Sequence, residues 1–384
     1  MGNKNKEKLL IISAFPPNRM TAGQSFTKEL IERISKNFEI DLLYFNYPEH
    51  RIEIDNIDNI WIKELKISKI SSIISIILGL LFFLNPLFTK RFNIKHYFLI
   101  RNLIQKNNYK YIVFNYSQVF IYSLCCLKLN KTKKIFIFHD VIYQLHNRIS
   151  GIKGIFLSIT AFLTEKLLLK LNKNSLIFSF SNKDKELIFK NYDVKCKVIH
   201  FYLNENILKL KLNDIEDAIC LYGAWNRKEN IEILQYFFSE IYQNFKKIKP
   251  TVKIYIIGSG IQKNLKLIPR DSNNISVLGF LENPYEIIAK CKCMFAPLFH
   301  GAGVKVKVIE SLATGTPVIG TLITFEGIDF DEGLINISNS KDAISKILYL
   351  IENVDINYKI KLREKFLSQF YNENFLLDKI LEKL

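Results

Sequence analysis

The sequence lacks the cysteine patterns that characterise disulfide-rich and zinc-binding proteins. Six cysteines occur among its 384 residues, including the adjacent pair Cys125 and Cys126 and the nearby pair Cys291 and Cys293. Neither spacing is that of a disulfide framework or a zinc site. His, Asp and Glu residues also form no cluster with ligand spacing. We therefore expect buried free thiols in a reducing cytoplasm, and neither a bound metal nor another cofactor.

A secretion signal and a nucleic-acid-binding module are also missing from the sequence. Residues 1–8 are polar, and the apolar run that follows is shorter than a signal peptide requires. Acidic residues are outnumbered by basic ones, 37 to 54, which gives a net charge of +17. Because the basic residues are scattered rather than clustered, this charge favours anionic substrates or an anionic membrane surface over nucleic acid. We expect a cytoplasmic protein without a nucleic-acid partner.

One long uncharged run, residues 70–89, raises the question of a membrane-spanning helix. The run is about long enough to cross a bilayer, but three serines, Asn85 and Pro86 reduce its apolar character. Basic residues flank both ends, so the charge bias that orients spanning helices is absent. A spanning helix would also separate strands that must share one parallel sheet. We expect instead a helix packed on the N-terminal domain, either in its core or with one face at the bilayer.

Short apolar runs alternate with helical patterns along the whole chain. Residues 9–14, 134–138 and 253–257 are typical of buried strands in a parallel sheet, and each is followed by a turn and a helical pattern. This alternation predicts an α/β protein with doubly wound sheets. Residues 204–217 are polar and lack a strand pattern, and the alternation restarts at Ala218. We therefore expect two domains joined by a linker at 204–217.

The most informative stretch lies at residues 295–321. It contains the end of an apolar strand, a glycine turn at residues 301–303, a helix predicted from Val304 to Ala313, and a second apolar strand. A glycine-opened helix start offers free backbone N–H groups to an anion. Lys305 and Lys307 add positive charge there, and Glu310 lies one turn after Lys307 on the same side of the helix. This pattern predicts a phosphate site next to an acceptor for sugar hydroxyls, although a solvated βαβ unit remains the alternative.

Three further loops follow predicted strands at positions suited to ligands. His139 follows the strand at 134–138, where it either hydrogen-bonds a sugar or phosphate or caps the next turn. Gly23 lies in the loop after the first strand and would let the backbone approach an acceptor. Arg227, with Lys228 as the second choice, follows the first strand of the C-terminal half, and a guanidinium matches phosphate geometry.

The stretch at 295–321 resembles the donor-site signature of the group 1, or family 4, retaining glycosyltransferases of the GT-B fold. The match is G-A-G-V-K-V-K-V-I-E-S-L-A-T-G-T-P-V, from Gly301 to Val318. Many relatives carry two glutamates eight positions apart in this signature. Here Glu310 is the second, and Ala302 occupies the position of the first. The departure affects the sugar that is bound more than the class of reaction.

The resemblance implies two facing Rossmann-like doubly wound domains with the active-site cleft between them. It assigns residues 1–203 to the acceptor domain, 204–217 to the linker, 218–365 to the nucleotide-sugar donor domain, and 366–384 to a C-terminal helix that packs back on the first domain. It also implies site residues on both domains. The catalytic residues are His139, Lys307 and Glu310; the acceptor contact is Gly23; and the donor contacts are Arg227, Lys228, Gly260, Phe280, Gly301, Ala302, Gly303, Val304, Lys305 and Glu326.

The function that the resemblance implies is retaining transfer of a sugar from a nucleotide-diphosphate sugar to a glycan or lipid-linked acceptor, without a metal. Bacterial surface polysaccharide or lipopolysaccharide assembly is the expected setting, with peripheral contact to an anionic membrane. Two alternatives share the fold: a nucleotide-sugar 2-epimerase, and a non-catalytic binding protein, which the alanine at position 302 favours. The sugar, the base, the acceptor and the oligomeric state stay open.

Overall fold

The computed structural model of the protein describes residues 6–46, 52–53, 57–127, 129, 132–269, 273–371 and 373–383. The chain divides into two compact units. The first comprises residues 1–202 together with 374–384, and the second comprises residues 203–373.

The first unit is a parallel sheet with helices on both faces. Its strands are β1 (Glu7–Ser13), β2 (Phe38–Phe45), β3 (Ile60–Leu65), β4 (Tyr109–Asn115), β5 (Lys133–Phe138), β6 (Leu176–Ser179) and β7 (Lys197–Val198). Its helices are α1 (Ala22–Ile34), α2 (Lys69–Leu81), α3 (Pro86–Thr89), α4 (Ile94–Lys106), α5 (Ile142–Asn147), α6 (Gly151–Leu171), α7 (Asn182–Tyr192) and α15 (Leu377–Glu382), with 3₁₀ segments at Ser117–Cys126 and Glu373–Phe375.

The strand order in the first sheet is β3-β2-β1-β4-β5-β6-β7. The order reverses between β1 and β4, which pair in parallel from Leu9 to Ser13. Residues 9–12 are all fully buried, because helices cover both faces of the sheet and leave no polar side to the strand. The loops after β1 and β4 therefore lie at the position where open α/β sheets bind ligands.

The second unit repeats this architecture with a smaller sheet. Its strands are β8 (Glu216–Tyr222), β9 (Lys253–Ile257), β10 (Ile275–Gly279), β11 (Cys291–Phe295), β12 (Val318–Gly320) and β13 (Leu334–Asn336). Its helices are α8 (Glu205–Leu208), α9 (Lys228–Tyr236), α10 (Tyr242–Ile248), α11 (Tyr285–Lys290), α12 (Val306–Ala313), α13 (Ser340–Asn353) and α14 (Ile356–Gln369), with a π turn at Phe237–Ile241 and a 3₁₀ segment at Ile261–Leu267.

The strand order in the second sheet is β10-β9-β8-β11-β12-β13. All pairings are parallel, and the order reverses between β8 and β11. The core on one side of this sheet contains Trp225, Phe237 and Phe295, all fully buried. The loops after β8 and β11 flank the reversal, so they form the ligand-binding edge expected for this unit.

The chain returns to the first unit only at its end. The structure places α14 in the second unit, where Phe366 is fully buried, so the returning segment begins at Asn374 and not at 366 as expected from the sequence. In α15, Leu377 is buried and Asp378 accepts a hydrogen bond of 3.0 Å from the Tyr202 hydroxyl. Residues 204–217, expected to be a linker, form part of the second unit and contain α8 and the start of β8.

The uncharged run at 70–89 is two helices, which corrects the expectation of a single one. Helix α2 ends at Leu81, and Phe83 then has a positive φ of 54°. Asn85 caps the next helix by accepting a hydrogen bond from Leu87 N, and Pro86 occupies its first position. Among the described residues, no helix combines the length and the apolar character needed to cross a bilayer.

Asn85 joins this pair of helices to α6. Its side chain is fully buried, and its Nδ2 donates to Leu157 O at 2.9 Å and to Thr160 Oγ1 at 3.1 Å. Its backbone N–H donates to Thr164 Oγ1 at 2.9 Å. Because a buried amide is costly when left without partners, these bonds fix the position of the turn after α2 on the middle of α6.

Replacing Asn85 with alanine should destabilise the first unit. Asn85→Ala removes the donor that satisfies Leu157 O and Thr160 Oγ1, and we expect the free energy of unfolding to fall by about 1–3 kcal/mol. Urea denaturation measures this change. Asn102→Ala, at an exposed position of α4, is the matched control and should change stability little. Equal stabilities for the two variants would contradict the role assigned to Asn85.

Candidate functional site

The candidate site lies where the strand order of the second sheet reverses. The loop after β8 leads into α9, and the loop after β11 leads into α12. A hydrogen bond joins the two helices, since Lys307 Nζ in α12 donates to Asn230 Oδ1 in α9 at 2.9 Å. Asn230 Nδ2 in turn donates to Ala224 O at 2.9 Å. The two loops that flank the reversal are thus held together by one buried asparagine.

Glycines allow the loops after β8 and β9 to approach each other closely. Gly258 has a φ of 125°, and a Cβ at this position would lie 1.9 Å from Gly223 O. Gly260, a predicted donor contact, has a φ of 79°, and its Cβ would lie 3.0 Å from Asn226 N. Only glycine tolerates these positions. Trp225 N donates to Ser259 O at 2.7 Å across the same contact.

The glycine turn after β11 leads to a later helix start than the sequence predicts. The first helical residue is Val306 and not Val304, because Lys305 has an extended backbone and is the N-cap. Residues 301–304 form the loop, in which Gly301 and Gly303 have φ values of 131° and 71°. Lys305 Nζ donates to Ala302 O at 3.1 Å and also to Gly303 O. Lysine 305 therefore lies over the loop rather than within the helix.

Lys307 is the cation of this site whose pKa lies far below its usual value. Burial is the main cause that lowers the pKa of its ammonium to about 7; the nearby charges of Arg227 and Lys305 contribute to this shift, and Glu229 opposes it. Its hydrogen-bond acceptor is an amide and not a carboxylate. Three cations thus converge at the reversal of strand order, and an anion bound there would relieve their mutual repulsion.

Glu310 lies one turn further along α12, between two tyrosines. The Tyr285 hydroxyl donates to Glu310 Oε1 at 2.9 Å, and the Tyr222 hydroxyl also bonds this carboxylate. Burial raises the pKa of Glu310 to about 7, and both tyrosine hydrogen bonds oppose that rise. The residue is partly buried, and the two tyrosine hydroxyls hold the orientation of its carboxylate.

The two basic residues predicted after β8 differ from Lys307 in exposure. Arg227 is the N-cap of α9, its side chain is 57% exposed, and its guanidinium contacts the Glu229 carboxylate. Lys228 is 88% exposed and lies 3.8 Å from Glu232 Oε1. Arg227 is therefore better placed than Lys228 to bind an anion next to Lys307, because its charge acts on Lys307.

The last two predicted donor contacts follow other strands of the sheet. Phe280 follows the edge strand β10, which is two strands away from β8, and its side chain is exposed. Glu326 lies in the turn after β12. In the part of the chain that the structure describes, no three His, Cys, Asp or Glu residues are grouped so as to hold a metal ion.

The predicted residues of the first unit, His139 and Gly23, lie together at its own reversal of strand order. A Cβ on Gly23 would lie 2.8 Å from His139 Nδ1 and 2.4 Å from the Tyr116 hydroxyl. The His139 ring stacks on Tyr116, with ring centroids 3.7 Å apart, and its Nε2 lies 2.8 Å from Asn115 Oδ1. Glycine at position 23 is required by this close approach.

Burial lowers the pKa of His139 to about 3, so its imidazole is neutral. Asn115 Nδ2 donates to Thr27 Oγ1 at 2.7 Å, which leaves Asn115 Oδ1 as an acceptor for the histidine. The proton of the neutral ring therefore lies on Nε2, and Nδ1 keeps a lone pair. A hydroxyl group is the kind of donor that such a lone pair accepts.

Sequence reasoning missed the residues that hold the predicted ones in place. They are Asn230, Tyr222 and Tyr285 in the second unit, and Asn115 and Tyr116 in the first. Tyr222, Asn115 and Tyr116 end a strand or directly follow one at the ligand-binding edge, which is a signal that the sequence contains. Asn230 and Tyr285 lie within helices, and only the packing of the chain brings them to the site.

Comparison with known proteins agrees with this geometry. Residues 216–353 match the family model described as Glycosyl transferases group 1. This range contains the whole of the Lys307 network. Over nearly the full chain, the two parallel-sheet units match solved structures of GT-B glycosyltransferases. The chain therefore has the GT-B fold, and its resemblance to the group 1 glycosyltransferases is confirmed.

Three similar proteins illustrate the match. WaaG, a glycosyltransferase involved in lipopolysaccharide biosynthesis, has a TM-score of 0.64 at 10% identity, covering 97% of this chain and 98% of WaaG. Anabaena HepE in complex with UDP and glucose has a TM-score of 0.64 at 13% identity, covering 98% and 99%.

The third is from Campylobacter jejuni and is named N-acetylgalactosamine-N,N'-diacetylbacillosaminyl-diphospho-undecaprenol 4-alpha-N-acetylgalactosaminyltransferase. It is 29% identical over 161 residues, which are 39% of this chain and 42% of that protein. The match thus spans less than half the length of this curated relative.

The raised pKa of Glu310 makes stability depend on pH in a definite direction. A carboxyl group whose pKa is higher in the folded state favours folding below its unfolded value of 4.5 and loses that contribution as pH rises through about 7. Glu310→Gln should abolish this loss. Relative to the native protein, the variant should gain about 1–3 kcal/mol of unfolding free energy between pH 4.5 and pH 8, as measured by urea denaturation.

Glu286→Gln, at an exposed position of α11, is the matched control. Its stability should follow that of the native protein at both pH values. If Glu310→Gln behaves like this control, the carboxylate is not held in the buried arrangement described above.

Proposed function

We propose that this protein is a retaining glycosyltransferase that moves a sugar from a nucleoside diphosphate sugar to a glycan or lipid-linked acceptor. The observation that supports the proposal most is the convergence of Lys307, Arg227 and Lys305 at the loops that flank the reversal of strand order. A diphosphate is the anion whose size and charge suit three cations next to a glycine turn.

The chemistry requires the departure of a nucleoside diphosphate, which gains negative charge as the glycosidic bond breaks. Lys307 and the free backbone N–H groups at the start of α12 would stabilise that charge, with Arg227 acting from the opposite loop. Because these donors are fixed before the substrate binds, no metal ion is needed in this scheme. Glu310, held by Tyr285 and Tyr222, would accept hydrogen bonds from the ribose hydroxyls.

We assign the acceptor side to the first unit. His139 is neutral and keeps a lone pair on Nδ1, next to Gly23 at the start of α1. In this role it would accept a hydrogen bond from a hydroxyl of the transferred sugar or of the acceptor, rather than donate a proton. The stacked Tyr116 ring and Asn115 would keep its orientation.

The names of the relatives favour an acceptor in bacterial surface glycan assembly. One relative is named for transfer to a diphospho-undecaprenol-linked acceptor, and WaaG is described as acting in lipopolysaccharide biosynthesis. We propose a similar setting for this protein, at the inner face of the cytoplasmic membrane. A nucleoside diphosphate sugar with uracil as base is the first donor to test, because HepE was solved with UDP.

A binding protein without activity is the second candidate. Ala302 provides no carboxylate at the loop position where the resemblance leads us to expect one, and this observation alone favours it. A screen of nucleotide sugars by thermal shift, followed by product analysis with and without acceptor, separates the two. Transfer or donor hydrolysis supports the enzyme. Stabilisation by a nucleotide sugar without any turnover supports the binding protein, and the absence of stabilisation contradicts both.

The variants Lys307→Ala and Arg227→Ala should each lower kcat/KM for the donor by more than about tenfold, because each removes charge that stabilises the leaving diphosphate. The expected loss is larger for Lys307, whose ammonium is partly buried, than for the more exposed Arg227. Steady-state kinetics with the donor found in the screen measure the effect.

Lys341→Ala, at an exposed position of α13, is the matched control for loss of a cation. It should leave kcat/KM unchanged. Unchanged kinetics for both Lys307→Ala and Arg227→Ala, in folded proteins, would place the diphosphate elsewhere.

A further inference from the structure

Helix α6 has the reverse of the usual arrangement of a surface helix. Its inner face is built largely from small and polar residues, which are Gly154, Ser158, Thr160, Ala161, Thr164 and Glu165. Large apolar side chains occupy the outer face instead, at Ile152, Ile155, Phe156, Ile159, Leu163 and Leu167. Apart from the adjacent pair Ile155 and Phe156, they recur every three or four residues, so they form one continuous stripe. Their exposed fractions range from 43% at Phe156 to 87% at Ile152, so the described part of the chain does not cover the stripe.

The small inner residues are required by close packing. A Cβ on Gly154 would lie 1.8 Å from Ile149 O, and Glu165 on the same face caps α5 by accepting a hydrogen bond from Ile142 N at 2.9 Å. The inner face of α6 is thus fully engaged within the unit. The apolar outer stripe is a separate feature that packing inside the chain does not explain.

Helix α2 likewise has small or polar residues on its inner side and large apolar residues on its outer side. Gly79 is its one buried residue, and a Cβ there would lie 2.5 Å from Thr89 Cγ2. Ser75 Oγ donates to Phe92 O at 2.8 Å, and Ser71 Oγ accepts a hydrogen bond from Asn93 Nδ2. The exposed side chains of α2 and the turn after it are large and apolar, and they are Ile70, Ile73, Ile74, Ile77, Leu78, Leu81, Phe82 and Phe83.

The two exposed faces lie on neighbouring helices. The turn that follows Phe83 is bonded through Asn85 to the middle of α6. At the other end of α2, the Asn93–Ser71 hydrogen bond holds the start of α4, where Ile94 and Phe98 are also exposed. We name the exposed apolar side chains of α2, the turn after it, α6 and the start of α4 the apolar face.

The net positive charge of the protein is concentrated in the part of the sequence that contains this face. Residues 65–183 contain 18 lysines and arginines but only two acidic residues, so this stretch carries +16 of the net charge of +17. One of the two acids, Glu165, is fully buried. Lys69, Lys95, Lys153 and Lys166 are exposed on the helices of the apolar face. The charge of this stretch arises from its lack of acidic residues, since its basic residues are about as frequent as in the rest of the chain.

We propose that the apolar face docks on an anionic lipid bilayer, with α2 and α6 lying in the plane of the membrane surface. A bilayer matches both the apolar face and the exposed lysines on its helices. Acyl chains bury the apolar side chains, and anionic headgroups pair with the lysines. A second copy of the chain would bring two strongly positive surfaces together. A nucleic acid would neutralise the lysines but leave the isoleucines in water.

The docking surface needs no transferase activity, so it can be tested independently of the proposed function. The full-length protein is sedimented with vesicles of phosphatidylglycerol and phosphatidylcholine, and with vesicles of phosphatidylcholine alone. We expect binding to the mixed vesicles, and weaker binding to phosphatidylcholine or at high salt, which screens the headgroup charge. Equal binding to both vesicle types, or no binding to either, would overturn the proposal.

Substitutions on the outer stripe of α6 test the assignment of the surface. One exposed isoleucine or phenylalanine contributes roughly a tenfold change in partitioning when it is buried. The triple variant Ile155→Gln, Phe156→Gln and Ile159→Gln should therefore bind mixed vesicles at least about tenfold more weakly. The matched control substitutes glutamine for three exposed side chains of the second unit, Ile248, Leu265 and Tyr349, and should bind like the native protein.

A second variant keeps the test independent of helix stability. This triple variant carries Lys153→Glu, Lys166→Glu and Lys170→Glu, which reverse exposed charges on α6 and leave the apolar stripe intact. It should lose the preference for phosphatidylglycerol. If both triple variants bind like the control, α6 does not face the membrane. If the glutamine variant instead converts an oligomer to a monomer without affecting vesicles, the apolar face is an interface between copies. Either result overturns the proposal.

Discussion

The hydrogen bond between Lys307 and Asn230 is the interaction on which the candidate site depends. It joins the first turns of α9 and α12, the two helices that flank the reversal of strand order in the second sheet. Asn230 can reach both Lys307 and Ala224 O only because residue 223 is a glycine. A Cβ on Gly223 would lie 3.0 Å from Asn230 Cγ and would crowd the side-chain amide. The cost of keeping a lysine partly buried beside an amide and two other cations appears in its lowered pKa. An anion bound at this point would remove that cost.

The sequence contained the elements of this site but not its construction. The glycine turn, Lys307 and Glu310 follow from local spacing, because a turn and a helix face are set within a few residues. The start of α12 at Val306, two residues later than predicted, depends on Lys305 folding over the loop carbonyls. Asn230 and Tyr285 come from other helices, and their contacts depend on how the sheet brings distant segments together. Such contacts leave no periodic signal in one sequence.

In the first unit, the sequence predicts the architecture but not where one helix ends or which face of another is buried. The alternation of strands and helices predicts its architecture, yet the break after Leu81 depends on Asn85, whose partners lie some 75 residues later in α6. In α6 itself, apolar residues are frequent all around the helix, so the sequence does not distinguish the inner face from the outer one. Only the structure shows that most of the inward-facing residues are small or polar, apart from Leu168 and Leu169, and that large apolar residues face outwards. Exposed apolar patches of this kind mark interaction sites, and this distribution is the basis of the proposed docking surface.

Hydrogen–deuterium exchange of the full-length protein, with and without the nucleotide sugar that stabilises it most, tests the donor site most directly. Exchange of backbone amides should slow in residues 223–230 and 300–310, the two loops joined by Lys307 and Asn230, and it should slow less in Lys307→Ala at the same ligand concentration. Helices α2 and α6 should exchange at the same rate in both states. Binding of the nucleotide sugar without protection in either loop would contradict the placement of the diphosphate at the reversal of strand order.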